Sequence, residues 1–565
     1  MKLHLLFTLC WLILIIHLVN CKKDDFLSSF DLFYKFTKNL DQKQPKDVGL
    51  ICTACRISIS TLKSYSKNEK KFMRAVSNVC ILLKLGTKTN CKGYANLFVP
   101  HVAYILRNSN LTTNEMCGVL IGKKCSKTAP SVYETWTVEL PEPKKQVNFT
   151  GDMSALQILH LTDLHYDPLY KEGSLTSCDE KLCCRESSVN GKGKAGYWGH
   201  PPNCDAPLHL LENLVQHINT THAEDFDLLF WTGDNSPHDS WMTTVDSIME
   251  TSTTITDLLK KYLSKNKVVF PILGNHEGMP TNLFSVSNDT KFHTKLIYEK
   301  LAEQWSEWLV TNEAINTFKF GGYYAKKFGT NFKVIALNTN ICDRTNFWNL
   351  YAPIDPYNQL HWMVNELQKS EENGENVYVV AHIAPDPSCT PIWFHNYLRI
   401  TERFRNTIKG FFYGHTHRDE FKVYYSRENE TLHVGYIGPS VTNYNPGYRF
   451  YSLTKDVGIS SGSVENMHSY YLNLTEANEK GKQEQLNWRK LYDAKRDYGL
   501  KSLSPQEWDL FYKRLLANDT LTQMYYANVI RHSNAFPKFC NDTCKHGIFG
   551  LHFGFSFVNI TPYFD

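Results

Sequence analysis

The chain is 565 residues long, with 42% apolar residues, 21% charged residues and a formal net charge of +4. That length exceeds one ordinary hydrophobic core, so two or three domains are expected of a soluble globular protein. So small a net charge gives no general argument for nucleic acid as a partner.

The N-terminus opens with Met1 and Lys2 and then runs apolar from Leu3 to Val19, interrupted by His4, Thr8 and His17. Length and flanking charges read as a secretory signal peptide over residues 1–21. No later run is long enough to span a bilayer. Nine Asn-x-Ser/Thr sequons, at Asn110, Asn148, Asn219, Asn288, Asn429, Asn473, Asn518, Asn541 and Asn559, are glycosylation candidates and fit the secretory pathway, with a secreted or lysosomal destination. Of sixteen cysteines, Cys10 lies in the signal and Cys21 near its expected cleavage point. The other fourteen are an even number in an oxidising compartment, which favours disulfides over thiolate metal sites.

Residues 48–129 read as a small helical module. Six cysteines fall at 52, 55, 80, 91, 117 and 125, and Phe72, Val76, Val79, Leu82 and Leu83 share one helical face. A unit this small needs staples in addition to its core. From Leu50 to Cys125 there are twelve Lys or Arg against Glu69 and Glu115 alone. A basic stretch is most simply a solvated face; here apolar stripes accompany the charge, which suits adsorption on an anionic membrane surface. A Pro-containing linker over 130–150, with Pro130, Pro141 and Pro143, is semi-stiff and keeps the module near the next domain.

Residues 151–446 carry five apolar, β-branched runs, each ending abruptly in polar residues: ALQILHLTDLH, FDLLFWTGD, VVFPILGNH, NVYVVAHIAP and GFFYGHTH. This is the pattern of buried strands delivering side chains at their C-terminal ends. They supply Asp163, His165, Asp234, Asn275, His382, His415 and His417. Each has a plain reading, since Asp caps turns, Asn favours turns and a strand-end His is often a hydrogen-bonded core residue. Five strand-end blocks in order, three with Gly before the ligand segment, favour a metal site built from borderline N and O donors, with Asp234 the best candidate to bridge two ions. Helical stretches at Pro207–Asn219 and Thr244–Leu263, and further strands at Phe332–Leu337 and His433–Ile437, give an α/β domain. Beyond Gly447 the chain reads as tyrosine-rich and mostly helical through residues 447–565, as in Glu484–Tyr498 and Ser504–Leu516. Tyr444, Asn445 and Tyr448 at that joint are candidates for lining a substrate groove or, equally, for packing.

The pattern D-x-H, G-D, G-N-H, H and G-H-x-H resembles the calcineurin-like metallophosphoesterases. The resemblance implies two stacked sheets flanked by helices and two Zn2+ per chain. One would be held by Asp163, His165, Asp234 and His417, the other by Asp234, Asn275, His382 and His415. A hydroxide activated between them would attack phosphorus, while His276 or His238 protonates the leaving alkoxide. Either histidine could instead be a structural residue behind the ligands. Gly233, Asp234, Asn235, Ser236, Pro237 lacks the iron-binding Tyr of a Gly-Asp-x-x-Tyr block, so zinc is preferred to an iron–zinc pair.

The module's cysteine spacing resembles a saposin B-type domain, which implies the nested pairs Cys52–Cys125, Cys55–Cys117 and Cys80–Cys91; spacing alone leaves fifteen connectivities open. The words HLTDLHYDPLY, WTGDNSPHDSW, LGNHE, YGHTHRDEF and GPSVTNYNPGYRFY, with the cluster Cys178, Cys183, Cys184 and Cys204, resemble the acid sphingomyelinase family from about Cys52 to about Cys544. This implies hydrolysis of sphingomyelin to ceramide and phosphocholine by a monomer, with no nucleic-acid partner. It also implies the pairs Cys178–Cys183, Cys184–Cys204, Cys342–Cys389 and Cys540–Cys544. The rivals are a soluble phosphodiesterase or nucleotide pyrophosphatase, which usually lacks the saposin-like module, and a lipid-binding saposin protein with an inactive hydrolase domain, against which the complete ligand set argues.

Overall fold

In the computed structural model the described residues are 45–122, 125, 131–144, 156–329, 331–442, 444–454, 462–482 and 485–555. The signal peptide and the sequons at Asn148 and Asn559 lie outside them. Among the described residues no helix is long and apolar enough to cross a membrane.

Four helices open the fold: α1 (Pro45–Ser66), α2 (Glu69–Leu82), α3 (Lys88–Asn108) and α4 (Thr113–Ile121). Their starts are written in the sequence. The Asn68 side chain accepts from the Lys71 amide, and Thr87 with Asn90 and Thr112 with Glu115 form reciprocal capping boxes. Disulfides Cys52–Cys125, Cys55–Cys117 and Cys80–Cys91 staple the bundle. On α2, Phe72 and Val76 are buried, but Leu82 is 79% exposed and Ile81 38%. The apolar stripe expected there therefore runs out of the core at the end of the helix, where the chain turns toward α3.

The module does not stand apart. Its core is continuous with Trp241, Leu283, Phe292, Trp348 and Leu350 of the following domain. His101 and Tyr104 of α3 lie 4.6 and 4.9 Å, ring to ring, from Phe292. The indole nitrogen of Trp348 donates to His101 Nδ1 at 3.2 Å. Burial of so many aromatics at one junction is worth several kcal/mol, well beyond what a loose tether would need.

Two sheets form the α/β domain. The first is built from β1 (Gln157–Leu161), β2 (Leu228–Trp231), β3 (Val268–Pro271), β10 (Gly447–Leu453), β11 (Val464–Leu472) and β12 (Trp488–Asp493). Its order is β12-β11-β10-β1-β2-β3, with β1, β2 and β3 parallel. The second is built from β4 (Tyr324–Phe328), β5 (Phe332–Ala336), β6 (Asn376–Val380), β7 (Ile408–Tyr413), β8 (Glu420–Tyr425), β9 (Thr431–Ile437) and β13 (Phe553–Phe555). Its order is β13-β8-β9-β7-β6-β5-β4, with β5, β6, β7 and β9 parallel and β4 and β8 antiparallel to β5 and β9. The sheets meet through aromatic rings: Phe412 of β7 lies 5.0 Å from Phe230 of β2 and 4.9 Å from Tyr451 of β10. Helices α5 (Leu208–His222), α6 (Val245–Tyr262), α7 (Thr294–Gln304), α8 (Asn312–Gly321), α9 (Gln359–Asn373) and α10 (Pro391–Arg403) connect the strands. β2 and β6 are buried at every position, as expected of strands covered on both faces.

The Pro-containing linker is seated on α10. Asn396 donates to the Trp136 carbonyl and accepts from the Val138 amide, and Arg403 donates to the Pro141 carbonyl at 2.7 Å.

Strands precede the helices of the C-terminal region. The stretch beyond Gly447 begins as sheet, in β10, β11 and β12, and β10 pairs antiparallel with β1 in the centre of the first sheet. Tyrosine-rich alternation is strand chemistry as readily as helix chemistry. The helical part follows in α11 (Pro505–Ala517) and α12 (Asp519–Val529). Disulfides Cys178–Cys183, Cys184–Cys204, Cys342–Cys389 and Cys540–Cys544 join the three of the helical module among the described residues. Such a density of disulfides fits an oxidising compartment.

Candidate metal centre

Each of the seven donors sits just past the C-terminal end of a parallel strand: Asp163 and His165 after β1, Asp234 after β2, Asn275 after the edge strand β3, His382 after β6, and His415 and His417 after β7. The two sheets therefore bring all of them to one pole of the sandwich. Asp163, His165, Asp234, His415 and His417 all adopt positive φ, between 40° and 75°. Left-handed backbone at five non-glycine ligands is local strain held by the surrounding fold, a feature that concentrates at functional sites. The adjoining turns approach so closely that a Cβ on Gly233 would lie 2.2 Å from the Gly274 amide nitrogen, and one on Gly274 would lie 2.1 Å from Asp234 Oδ1. Glycine before the ligand segment is thus a steric requirement.

Donor atoms of Asp163, His165, Asp234 and His417, and of Asp234, His382 and His415, all fall within 4.8 Å of one another in their groups. Asp234 Oδ2 lies 3.5 Å from His165 Nε2 and 3.1 Å from His382 Nε2, so it stands between the two halves. Asn275 Oδ1 lies 3.0 Å from His382 Nε2 and 2.8 Å from His415 Nδ1. Outward atoms are tied down elsewhere. His165 Nδ1 donates to the Ser236 carbonyl at 2.7 Å, His382 Nδ1 to the Thr232 carbonyl at 2.6 Å, and Asp163 Oδ2 accepts from Thr162 Oγ1 and the His415 amide. With Nδ1 donating outward, each of these two rings turns Nε2 toward the centre, where loss of its proton on metal binding would free a lone pair.

That inward face fits a divalent cation. His165 Nε2 and His417 Nε2 are 3.0 Å apart, and His417 Nε2 is 3.2 Å from Asp163 Oδ1, so ring nitrogens and carboxylate oxygens crowd one buried space. Against burial, the nearby Asp234 carboxylate pushes His382 up to about 9, while against its own burial Asp163 is held well below the carboxylate range by His417 and His165. The donor set of His, Asp and Asn fits a divalent metal ion.

Both candidate acids border the cluster. The His238 ring lies 4.0 Å from that of His165, and the His276 ring 4.8 Å from it. Burial lowers His276 to about 3, and its Nδ1 lies 3.2 Å from the Pro237 carbonyl, which it serves as donor when neutral. His238 Nδ1 lies 2.8 Å from Asp205 Oδ1, and its own amide donates to Asp205 Oδ2 at 2.7 Å. Against the upward push of burial, the adjacent His238 holds Asp205 below the usual carboxylate range.

Asp205 escapes sequence reading because it sits in a loop after Cys204 with no ligand-like pattern around it. Glu277 had a signal, being the last residue of LGNHE: its buried carboxylate accepts from the amides of Gly274, Asp234 and Asn235 at 2.6, 3.0 and 2.8 Å, joining the β2 and β3 turns. The joint residues Tyr444, Asn445 and Tyr448 prove to be interior. Tyr444 stacks on Phe536, Asn445 bonds the Arg531 carbonyl and the Leu474 amide, and the Tyr448 hydroxyl meets His217. Each is no more than 3% exposed, which assigns them to packing rather than to a groove wall. Of the described sequons, Asn110, Asn219, Asn288, Asn429, Asn518 and Asn541 are exposed and Asn473 is half-buried at a helix cap.

A two-sheet sandwich carrying this donor set defines a metallophosphoesterase, and the calcineurin-like phosphoesterase family model matches residues 156–419. The family model for the acid sphingomyelin phosphodiesterase C-terminal region matches residues 437–549. A sphingomyelin phosphodiesterase of Bos taurus is 37% identical over 517 residues, which covers 88% of this chain and 81% of the relative. Its Homo sapiens counterpart is 36% identical over 495 residues, covering 85% and 77%. The cyclic GMP-AMP phosphodiesterase SMPDL3A of Homo sapiens is 31% identical over 413 residues, covering 69% and 85%. The chain belongs to the sphingomyelin phosphodiesterase family.

Proposed function

We propose that the protein is a phosphodiesterase that hydrolyses sphingomyelin to ceramide and phosphocholine at a centre of two zinc ions, working at a membrane surface in the secretory pathway. The observation that carries the reading is the position of Asp234, whose Oδ2 faces both the His165 half and the His382 half of the cluster. One ion would be held by Asp163, His165, Asp234 and His417, the other by Asp234, Asn275, His382 and His415. Divalent cations bound there would supply an activated water nucleophile at neutral pH and a positive field for the phosphate oxygens.

The chain's own groups do the rest. Thr162, Ser236 and Thr232 hold the outer faces of Asp163, His165 and His382, so that no ligand rotates away when the diester arrives. The leaving ceramide alkoxide needs a proton. His238 is the better donor, because Asp205 holds its ring through Nδ1 beside the cluster and would stabilise its protonated form; His276, buried and bonded through Nδ1 to a carbonyl, suits orientation of the phosphate. In the helical module, exposed Ile81 and Leu82 with Lys84, Lys88 and Lys92 around the α2–α3 turn favour contact of the saposin-like module with anionic lipid.

The test offers purified protein sphingomyelin vesicles and, separately, a cyclic dinucleotide, each with and without chelator. Chelator-sensitive release of phosphocholine from vesicles, absent in Asp234→Ala and His417→Ala proteins that are secreted normally, supports the reading. Full activity in either variant, or turnover of the dinucleotide alone, overturns it.

A further inference from the structure

We infer that Arg531, contributed by the C-terminal helical region, is a positioning residue for the metal centre that acts through the main chain of His417. The inference rests on the reading that the cluster holds divalent metal. Arg531 follows α12, is fully buried, and lies 114 residues along the chain from His417. Its Nη1 donates to the His417 carbonyl at 3.1 Å, its Nη2 donates to Ser440 Oγ at 3.0 Å, and its Nε donates to the Asn445 carbonyl. Ser440 Oγ lies 3.1 Å from the same His417 carbonyl but 2.6 Å from that of Thr442, so its single proton is directed mainly to Thr442 and Arg531 is the principal side-chain donor to His417.

A planar guanidinium with three differently directed bonds fixes what it touches in a way that an ammonium cannot. What it touches here is a ligand residue in left-handed backbone, His417 at φ 60°, two positions along from the strained His415. Without an anchor behind it, that carbonyl could relax toward ordinary backbone and swing the imidazole off the centre. Arg531 is anchored in its turn. It holds φ 49°, its carbonyl accepts from Asn445 Nδ2 at 2.9 Å, its guanidinium lies 5.1 Å from the Tyr444 ring centre, and a Cβ on Gly447 would stand 2.8 Å from its Cδ. Asn445 and Tyr444 therefore serve the centre indirectly, by holding the arginine. A second strap runs beside it, from the Asp419 amide to the Val529 carbonyl at 3.3 Å.

The experiment compares wild type with Arg531→Met, Arg531→Lys and the control Arg514→Met. Arg514 also bonds main-chain carbonyls of the C-terminal region, those of Tyr498 and Gly499, well away from the His417 loop in its hydrogen bonding. Each full-length protein is dialysed against a graded series of chelator concentrations, and bound zinc per folded chain is measured by elemental analysis alongside its melting curve. The chelator concentration that removes half the zinc should fall at least tenfold for Arg531→Met, fall less for Arg531→Lys, and stay at the wild-type value for Arg514→Met. On a soluble phosphodiester, kcat of the Arg531 variants should fall while KM changes little. A folded Arg531→Lys or Arg531→Met protein with the wild-type zinc midpoint overturns the inference, as does an equal loss of zinc in Arg514→Met. Absence of metal from the wild type would instead overturn the reading of the cluster itself.

Discussion

Single side chains carry the chemistry here, and several matter only through what stands behind them. Asp205 makes no approach to the paired ligands in sequence, yet its carboxylate takes both the ring and the amide of His238. Asp205→Asn should therefore keep the fold and the metal while lowering kcat about 10- to 100-fold, the usual cost of removing a partner that orients a catalytic imidazole. Steady-state kinetics on a soluble diester read this directly; an unchanged kcat would remove His238 from the role of acid. The clustering of the candidate ligands was legible because their residue types are few and each ends an apolar run. Asp205, Arg531 and the interior placement of Tyr448 were not, because they depend on contacts across the chain and no local pattern encodes them.

At the level of turns and strands, the ligand loops are held by close backbone approach. Gly233→Ala places a methyl 2.2 Å from the Gly274 nitrogen in a residue with φ 85°, so both sterics and backbone conformation oppose it. The substitution should destabilise the protein by about 3 kcal/mol or more, seen as a lowered melting temperature, and should reduce zinc content. An alanine variant with wild-type stability would mean that the turns can part freely. Strand existence was readable for the same reason as the ligands: β1, β2, β3, β6 and β7 are near-continuous apolar runs buried on both faces. The strands after Gly447 were missed, since β11 and β12 have mixed burial and a tyrosine-rich sequence that fits either period. The pairing of β10 with β1 is a long-range event, set by which edge of the first sheet remains open.

Across the molecule, the α3 helix of the N-terminal helical module shares a core with the α/β domain through Tyr94, His101, Trp241 and Trp348. Deleting the module would strip that core and blur any membrane effect with unfolding, so its proposed docking role is better probed at its exposed tip. Leu82→Ser combined with Lys84→Glu and Lys88→Glu should lower turnover on anionic vesicles by about tenfold or more, given about 1 kcal/mol for each surface cation. Turnover of a soluble phosphodiester should stay unchanged. Equal losses on both substrates would place the tip's contribution in folding. The two sheets bring the candidate ligands to one pole, and Arg531, just after α12, reaches the last of them through the His417 carbonyl.

The most direct measurement is elemental analysis of purified, catalytically competent protein, coupled to chelation and readdition of metal. Such protein should carry about two zinc ions per chain, lose sphingomyelin turnover as they are withdrawn, and recover it when zinc returns. Undiminished turnover by protein that contains no transition metal would rule out a metal-dependent reaction.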